Sequence, residues 1–189
     1  MRAFIAIELP EDIRNILGNI NNQLEQTGAD VKWVLPQNAH LTLKFLGEIT
    51  PSLVDRVSAA LNETAQKNPC FTLRLSGLGA FPKLNYARVI WIGITNDQPV
   101  IKIAKELKRQ MREIGFPKES RKFNSHITLG RVRSGSNQNA LIEKIGFLNK
   151  ESPHLLAEFK VINLTFFKST LTPQGPIYEK LSSAPLSCA

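Results

Sequence analysis

Two histidines carry the chemistry this chain suggests. His40 stands in Asn38-Ala39-His40-Leu41-Thr42-Leu43 and His126 in Asn124-Ser125-His126-Ile127-Thr128-Leu129, so two of the 3 histidines recur in one His-x-Thr pattern, nearly half the 189-residue chain apart. An imidazole titrates near pH 6.5, so of two copies one can be neutral and the other protonated close to neutrality, supplying base and acid together. A phosphodiester suits such a pair. One histidine takes a proton from the attacking water and the other protonates the departing sugar oxygen, and in-line displacement puts attacker and leaving group on opposite sides of phosphorus. The hydroxyls of Thr42 and Thr128 can then donate hydrogen bonds to the non-bridging oxygens. A single His-x-Thr on a strand is more often structural; the duplication is what gives it weight.

Positioning these groups requires strands. Alternation places His40 and Thr42 on one face, with Leu41, Leu43 and Phe45 on the other. It likewise places His126 and Thr128 opposite Ile127 and Leu129. If the strands come from two similar lobes, their polar faces meet across a groove. Arg131 is the nearby cation best suited to hold phosphate in a fork, although alternation sets it on the face opposite His126 unless the strand has ended. Lys44, two residues past Thr42, reads as a solvent-exposed rim charge. Trp33, Phe81, Tyr86 and Phe123 could stack a base, but such rings more often pack the core; only Phe123 is close to a motif, and it is the candidate base contact. His154, after Pro153, reads as a surface residue.

The other elements follow from periodicity and caps. A strand is expected over Arg2–Leu9 and a helix from Pro10 to about Gln26, with Ile13, Ile16, Leu17, Ile20 and Leu24 inward. A short strand over Val31–Leu35 precedes the first histidine strand, about His40–Leu46. Thr50 and Pro51 mark the N-cap and first position of a second helix. Phe71–Leu78 and Ala87–Ile94 form a hairpin around Asn85, and a third helix spans Gln98–Ile114. After the second histidine strand come a helix over about Ala140–Leu148, one long strand over Leu156–Ser169, a loop over Thr170–Pro176 and a last strand over Ile177–Leu181. No stretch reads as a linker, so residues 1–189 are expected to form one two-lobed domain.

Composition bounds the partners. With 42% hydrophobic and 21% charged residues the chain is ordinary for a globular protein, and 24 Lys and Arg against 16 Asp and Glu give a formal charge of +8, which favours an acidic partner such as nucleic acid. Lys118, Arg121, Lys122, Arg131 and Arg133 surround the second histidine, whereas the basic face of the third helix reads as solvated. Cys70 and Cys188 have no metal-ligand spacing and suggest no disulfide framework, compatible with a reducing cytoplasm. The N-terminus is wrong for a signal peptide and no run is long enough to span a membrane. Neither a P-loop nor a Gly-x-Ser-x-Gly elbow is present, and acids are sparse around both histidines, which disfavours ATP-driven, serine-nucleophile and metal-centred mechanisms.

Beyond the two motifs, Arg2-Ala3-Phe4-Ile5-Ala6-Ile7, the run from Trp33 through Glu48, Val89-Ile90-Trp91-Ile92-Gly93, Phe123 through Arg131, and the closing segment from Ser169 to Tyr178 resemble the two-histidine phosphoesterase superfamily. The likeness is greatest to its RNA 2′,3′-cyclic phosphodiesterase branch, historically called 2′-5′ RNA ligase. It implies a bilobal α+β fold with two antiparallel sheets related by a pseudo-twofold, helices outside and a central cleft. It also implies hydrolysis of a terminal 2′,3′-cyclic phosphate to a 2′-phosphate, with no cofactor and no metal. His40 would be the proton donor and His126 the acceptor, Thr42 and Thr128 would hold the phosphate beside the candidate contacts Arg131 and Phe123 read above, and the reverse ligation would be secondary. The implied partner is RNA with a 2′,3′-cyclic phosphate end, acted on by a cytoplasmic monomer with no membrane association. Two alternatives stand beside it: a phosphodiesterase for a small cyclic nucleotide such as ADP-ribose cyclic phosphate, and a non-catalytic RNA-end-binding protein.

Overall fold

Strand β1 (Arg2–Glu8) is buried on both faces, and the fold builds outward from it. The computed structural model describes residues 1–120, 122–152 and 156–188; Arg121 and His154 lie outside the described residues. The elements after β1 are α1 (Glu11–Glu25), β2 (Val31–Trp33), β3 (His40–Glu48), α2 (Val54–Gln66), β4 (Phe71–Phe81), β5 (Val89–Ile94), α3 (Gln98–Ile114), β6 (His126–Val132), α4 (Gln138–Glu151), β7 (Ala157–Val161), β8 (Asn163–Thr172) and β9 (Gly175–Pro185). They form two wholly antiparallel sheets, one of order β3-β1-β8-β9 and one of order β2-β6-β5-β4-β7, with helices packed on their outer faces. This is the expected α+β arrangement.

The pseudo-twofold is visible in the order of elements. β1-α1-β3-α2 recurs as β5-α3-β6-α4, with β1 paired to β3 and β5 paired to β6. The helix after each first strand crosses to the other sheet: α1 packs beside β7 and α4, while α3 packs beside β3 and α2. Asn21 of α1 reinforces that crossing, its amide donating to the carbonyls of Val34 at 3.1 Å and Leu129 at 3.4 Å. In α3 the inward stripe is Val100, Ile103, Leu107 and Met111, all fully buried at helical spacing, and Gly115 ends the helix at φ 111°, where a side chain would be strained. Among the described residues no helix is long and apolar enough to cross a membrane.

Three expectations need correction. The long strand over Leu156–Ser169 is two strands that break at Ile162, which is 48% exposed; β7 pairs with β4 in one sheet and β8 with β1 and β9 in the other. No glycine or proline marks the crossing, so composition alone reads straight through it. The loop over Thr170–Pro176 is a tight hairpin whose turn is closed by Thr172, which donates from its hydroxyl to the Gly175 carbonyl at 2.6 Å. Thr50 does not cap α2, because its hydroxyl bonds Ser52 at 2.8 Å and a 3-10 turn over Pro51–Leu53 opens the helix.

The cysteines also depart from expectation. Cys70, just before β4, and Cys188, just after β9, form a disulfide with their Cα atoms 5.0 Å apart. The parallel bridge between Pro69 and Ser187 brings them into register. Their separation of 118 residues left no spacing pattern to read. The bond removes the cysteines' part in the expected cytoplasmic compartment, which drew also on the N-terminal run and the lack of a long apolar segment.

Candidate active site

His40 begins β3 and His126 begins β6, and these two strands, from different sheets, pack against each other. Each ring is held by the backbone two residues earlier: Nδ1 of His40 lies 2.8 Å from the Asn38 carbonyl and Nδ1 of His126 lies 2.8 Å from the Asn124 carbonyl. A carbonyl only accepts, so Nδ1 carries the proton in both rings. Nε2 is therefore the atom left to take or give one. The turn before β3 is itself anchored, since the Asn38 amide donates to the Pro176 carbonyl at 2.9 Å.

Aromatic rings wall both histidines. His40 stacks on Phe4 at 4.7 Å between centroids and meets Tyr178 edge-on at 5.2 Å. Phe4, Ala6 and Phe167, with Tyr178 against them, form a small apolar cluster separate from the main core. His126 meets Phe81 edge-on at 4.9 Å, and Phe81 packs on Trp91 at 5.3 Å. Gly79 makes room for that indole, because a Cβ there would stand 2.4 Å from the Trp91 ring. These walls have an electrostatic consequence. Burial pushes the pKa of His40 below its ordinary value against the opposing Asn38 carbonyl. Burial also lowers His126, opposed by the Asn124 carbonyl and aided by the Arg131 charge. Burial thus favours the neutral form of both rings in the free protein, and an anion between them is what favours charging one.

The remaining site residues are placed by a pair of matching bulges. On β3, Thr42 pairs with Ala6 and Lys44 with Ile5, leaving Leu43 as the extra residue; on β6, Thr128 pairs with Trp91 and Gly130 with Ile90, leaving Leu129 extra. Each bulge reverses the alternation beyond it. Thr42 and Thr128 stay on the faces of their histidines, and among the described residues neither hydroxyl has a protein partner. Arg131 follows the bulge onto the face of His126 and Thr128 although the strand runs on to Val132. Its charge is felt by His126 and also by Tyr178 of the other sheet, whose pKa burial raises while Arg131 and Arg2 oppose the rise. Arg131 therefore links the two walls.

On β3 the bulge inverts two expectations. Phe45 is not a core residue: it is 64% exposed, beyond Phe4, with 6.3 Å between the two ring centroids. Lys44 is not a rim charge but is turned to the opposite face from His40, 8% exposed, with Nζ 2.6 Å from Glu119. Glu119 lies in the segment leading to His126, so the pair ties the approach of one histidine to the strand of the other. Glu119→Gln, which strands a buried ammonium, is expected to cost about 1–3 kcal/mol in chemical denaturation, whereas Lys44→Met costs less because it removes the charge as well. Equal losses in the two variants would refute this account.

Phe123 packs, partly buried, against the main core, and the ring that meets His126 is Phe81. Phe4 and Tyr178 also wall the site, and nothing in their own spacing marks them for it. Both lie inside segments that carry the family likeness, which was the signal available for them.

The halves of this chain match one family twice, over residues 7–91 and 92–178, and that family is described as LigT like Phosphoesterase. The chain belongs to the LigT-like phosphoesterases. The two matches begin at equivalent positions of the pseudo-twofold, Ile7 in β1 and Ile92 in β5, and each contains one histidine strand. A Methanocaldococcus jannaschii protein named RNA 2′,3′-cyclic phosphodiesterase is 37% identical over 95% of this chain and 97% of its own. The crystal structure of TT0787 of Thermus thermophilus superposes with a TM-score of 0.83, at 27% identity over 98% of each chain. Escherichia coli LigT complexed with 3′-AMP gives 0.76 at 26% identity over 98% of each chain. In this LigT-like chain the two histidine strands, β3 and β6, are accordingly equivalent strands of two repeats of one unit.

Proposed function

We propose that this protein hydrolyses the terminal 2′,3′-cyclic phosphodiester of RNA to a 2′-phosphomonoester by a two-histidine mechanism that needs no metal. One observation carries the reading. On two packed strands of a pseudo-symmetric pair, each imidazole has Nδ1 committed to a backbone carbonyl and Nε2 uncommitted, beside a threonine hydroxyl with no protein partner among the described residues. Binding alone would be served by Arg or Lys; paired imidazoles suit proton exchange. The names of full-length relatives and the 3′-AMP complex of Escherichia coli LigT support RNA ends as the substrate class.

The two imidazoles are anchored alike, so their roles take the order that the family resemblance implies. His126, neutral, accepts a proton at Nε2 from water as its oxygen bonds to phosphorus. His40, protonated, donates from Nε2 to O3′ as the P–O3′ bond breaks, leaving a 3′-hydroxyl and a 2′-phosphate. Thr42 and Thr128 donate to the non-bridging oxygens, and Arg131 offsets the charge that builds on them. With a 5′-hydroxyl in place of water, the same steps join two ends through a 2′-5′ bond, a secondary activity.

The test is to incubate the protein, in EDTA, with an oligoribonucleotide ending in a 2′,3′-cyclic phosphate and to identify the product by mass and nuclease sensitivity. A 2′-phosphate is the expected product. Tight binding without turnover would move the protein to the end-binding class. Turnover of ADP-ribose cyclic phosphate alone would make it a small-nucleotide enzyme.

A further inference from the structure

Beside His40 the first sheet opens into a recess of about 280 Å³, lined among others by Glu8, Arg14, Gln37, Tyr178 and Lys180. Its charges do not cancel. The two oxygens of Glu8 are already used, one accepting from the Thr165 hydroxyl at 2.7 Å and the other facing the Lys180 ammonium at 2.8 Å. Glu8 and Lys180 thus neutralise each other. Arg14, in the first turns of α1, is left over. Among the described residues it has no carboxylate within ion-pair distance, and its Nε is buried with no hydrogen-bond partner. The buried Nε is out of a ligand's reach, but the terminal nitrogens are not buried and have no protein partner among the described residues, and their planar pair of donors fits phosphate oxygens.

We propose that this recess is a second phosphate subsite, in which Arg14 binds the phosphodiester one nucleotide 5′ of the cyclic end. The inference rests on the hydrolytic reading given above, with His40 on the leaving-group side. If His40 protonates O3′, the ribose lies on its side of the cleft, and the chain 5′ of that ribose leaves over the first sheet. That is where the recess opens, on the same face of the sheet: Lys180 is the register partner of Phe167, and Phe167 that of Phe4, on which His40 stacks. Gln37 adds a neutral donor at the rim. The consequence is specificity: the protein favours the end of a polynucleotide over a free mononucleoside cyclic phosphate. Arg14 touches the substrate away from the reacting atoms, so its contribution appears only when the second phosphate is present.

A nucleoside 2′-monophosphate and the matching 2′,5′-bisphosphate differ only in that second phosphate, the 5′ group standing in for the diester. By calorimetry the wild-type protein is expected to bind the bisphosphate at least about tenfold more tightly, which corresponds to about 1.4 kcal/mol. Arg14→Gln should abolish that preference while leaving monophosphate affinity within about twofold, and Arg14→Lys should keep part of it, having the charge without the fork. Equal affinity of the wild type for both ligands, or an unchanged ratio in Arg14→Gln, would overturn the subsite. Turnover of a mononucleoside 2′,3′-cyclic phosphate with and without a 5′-phosphate separates the two proposals. If neither these nor the cyclic-phosphate oligoribonucleotide is hydrolysed while the bisphosphate preference persists, the hydrolytic reading falls and the subsite stands. If both are hydrolysed with equal kcat/KM, hydrolysis stands and the subsite falls.

Discussion

His126→Ala and His40→Ala are each expected to lower kcat on a cyclic-phosphate RNA by about 10²–10⁴-fold, the range of general acid-base catalysis, while leaving the affinity for a 2′-phosphate product within a few-fold. The reason lies in the anchoring of the rings. With Nδ1 of each held 2.8 Å from its carbonyl, Nε2 is the only ring atom that can exchange a proton, and alanine offers nothing in its place. The two variants separate when the leaving group changes. A substrate with sulfur at the bridging 3′ position departs as a thiolate, a weak enough base to need little protonation near neutral pH. On that substrate His40→Ala should recover most of the wild-type rate and His126→Ala should not. Recovery in His126→Ala instead would exchange the two roles, and near wild-type turnover of the natural substrate by either variant would remove the mechanism.

Arg131→Ala carries the second large effect, a loss of about 10²–10³-fold in kcat, as for a single donor aimed at developing charge. It should also change the pH profile in a definite direction. As the base, His126 must be neutral, so kcat/KM falls as pH drops through its pKa, which burial and then Arg131 depress below the ordinary 6.5. As the acid, His40 must be protonated, so kcat/KM falls as pH rises through its pKa, which burial also depresses. The wild-type optimum for kcat/KM therefore lies on the acid side of neutrality. Removing Arg131 takes away a force that lowers His126 and none that acts on His40. The acid limb moves to higher pH while the alkaline limb stays, and the bell narrows. Arg131→Lys should keep the wild-type limb, since the charge remains, but lose part of the rate with the fork. An acid limb indifferent to Arg131→Ala would place the guanidinium elsewhere in the reaction.

How far the site was legible is best judged on β3 and β6. Period-two alternation put His40 with Thr42 and His126 with Thr128 correctly, because polar and apolar residues alternate wherever one face is buried. It failed one residue later. An extra residue at Leu43 and at Leu129 costs the ladder little and has no marker in composition, since both leucines are core residues whichever face follows. Hence Phe45, Lys44 and Arg131 were each set on the wrong side, and the cation that links the cleft walls looked misplaced.

What the sequence determined by itself is local or repeated: the bounds of α3 from its apolar stripe and Gly115, the strands that carry the histidines, and the duplication that makes a two-walled cleft. These follow from steric preference and from the burial of one face, which act over a few residues. Tertiary structure alone decided which sheet each strand joins, so that β7 and β8 part at Ile162. It also decided the closure of Cys70 on Cys188, the ring walls that favour the neutral form of both histidines, and the meeting of Arg14 with Lys180 beside His40. Each of these depends on surfaces far apart in the chain competing to be buried together, and no short window of residues contains that competition.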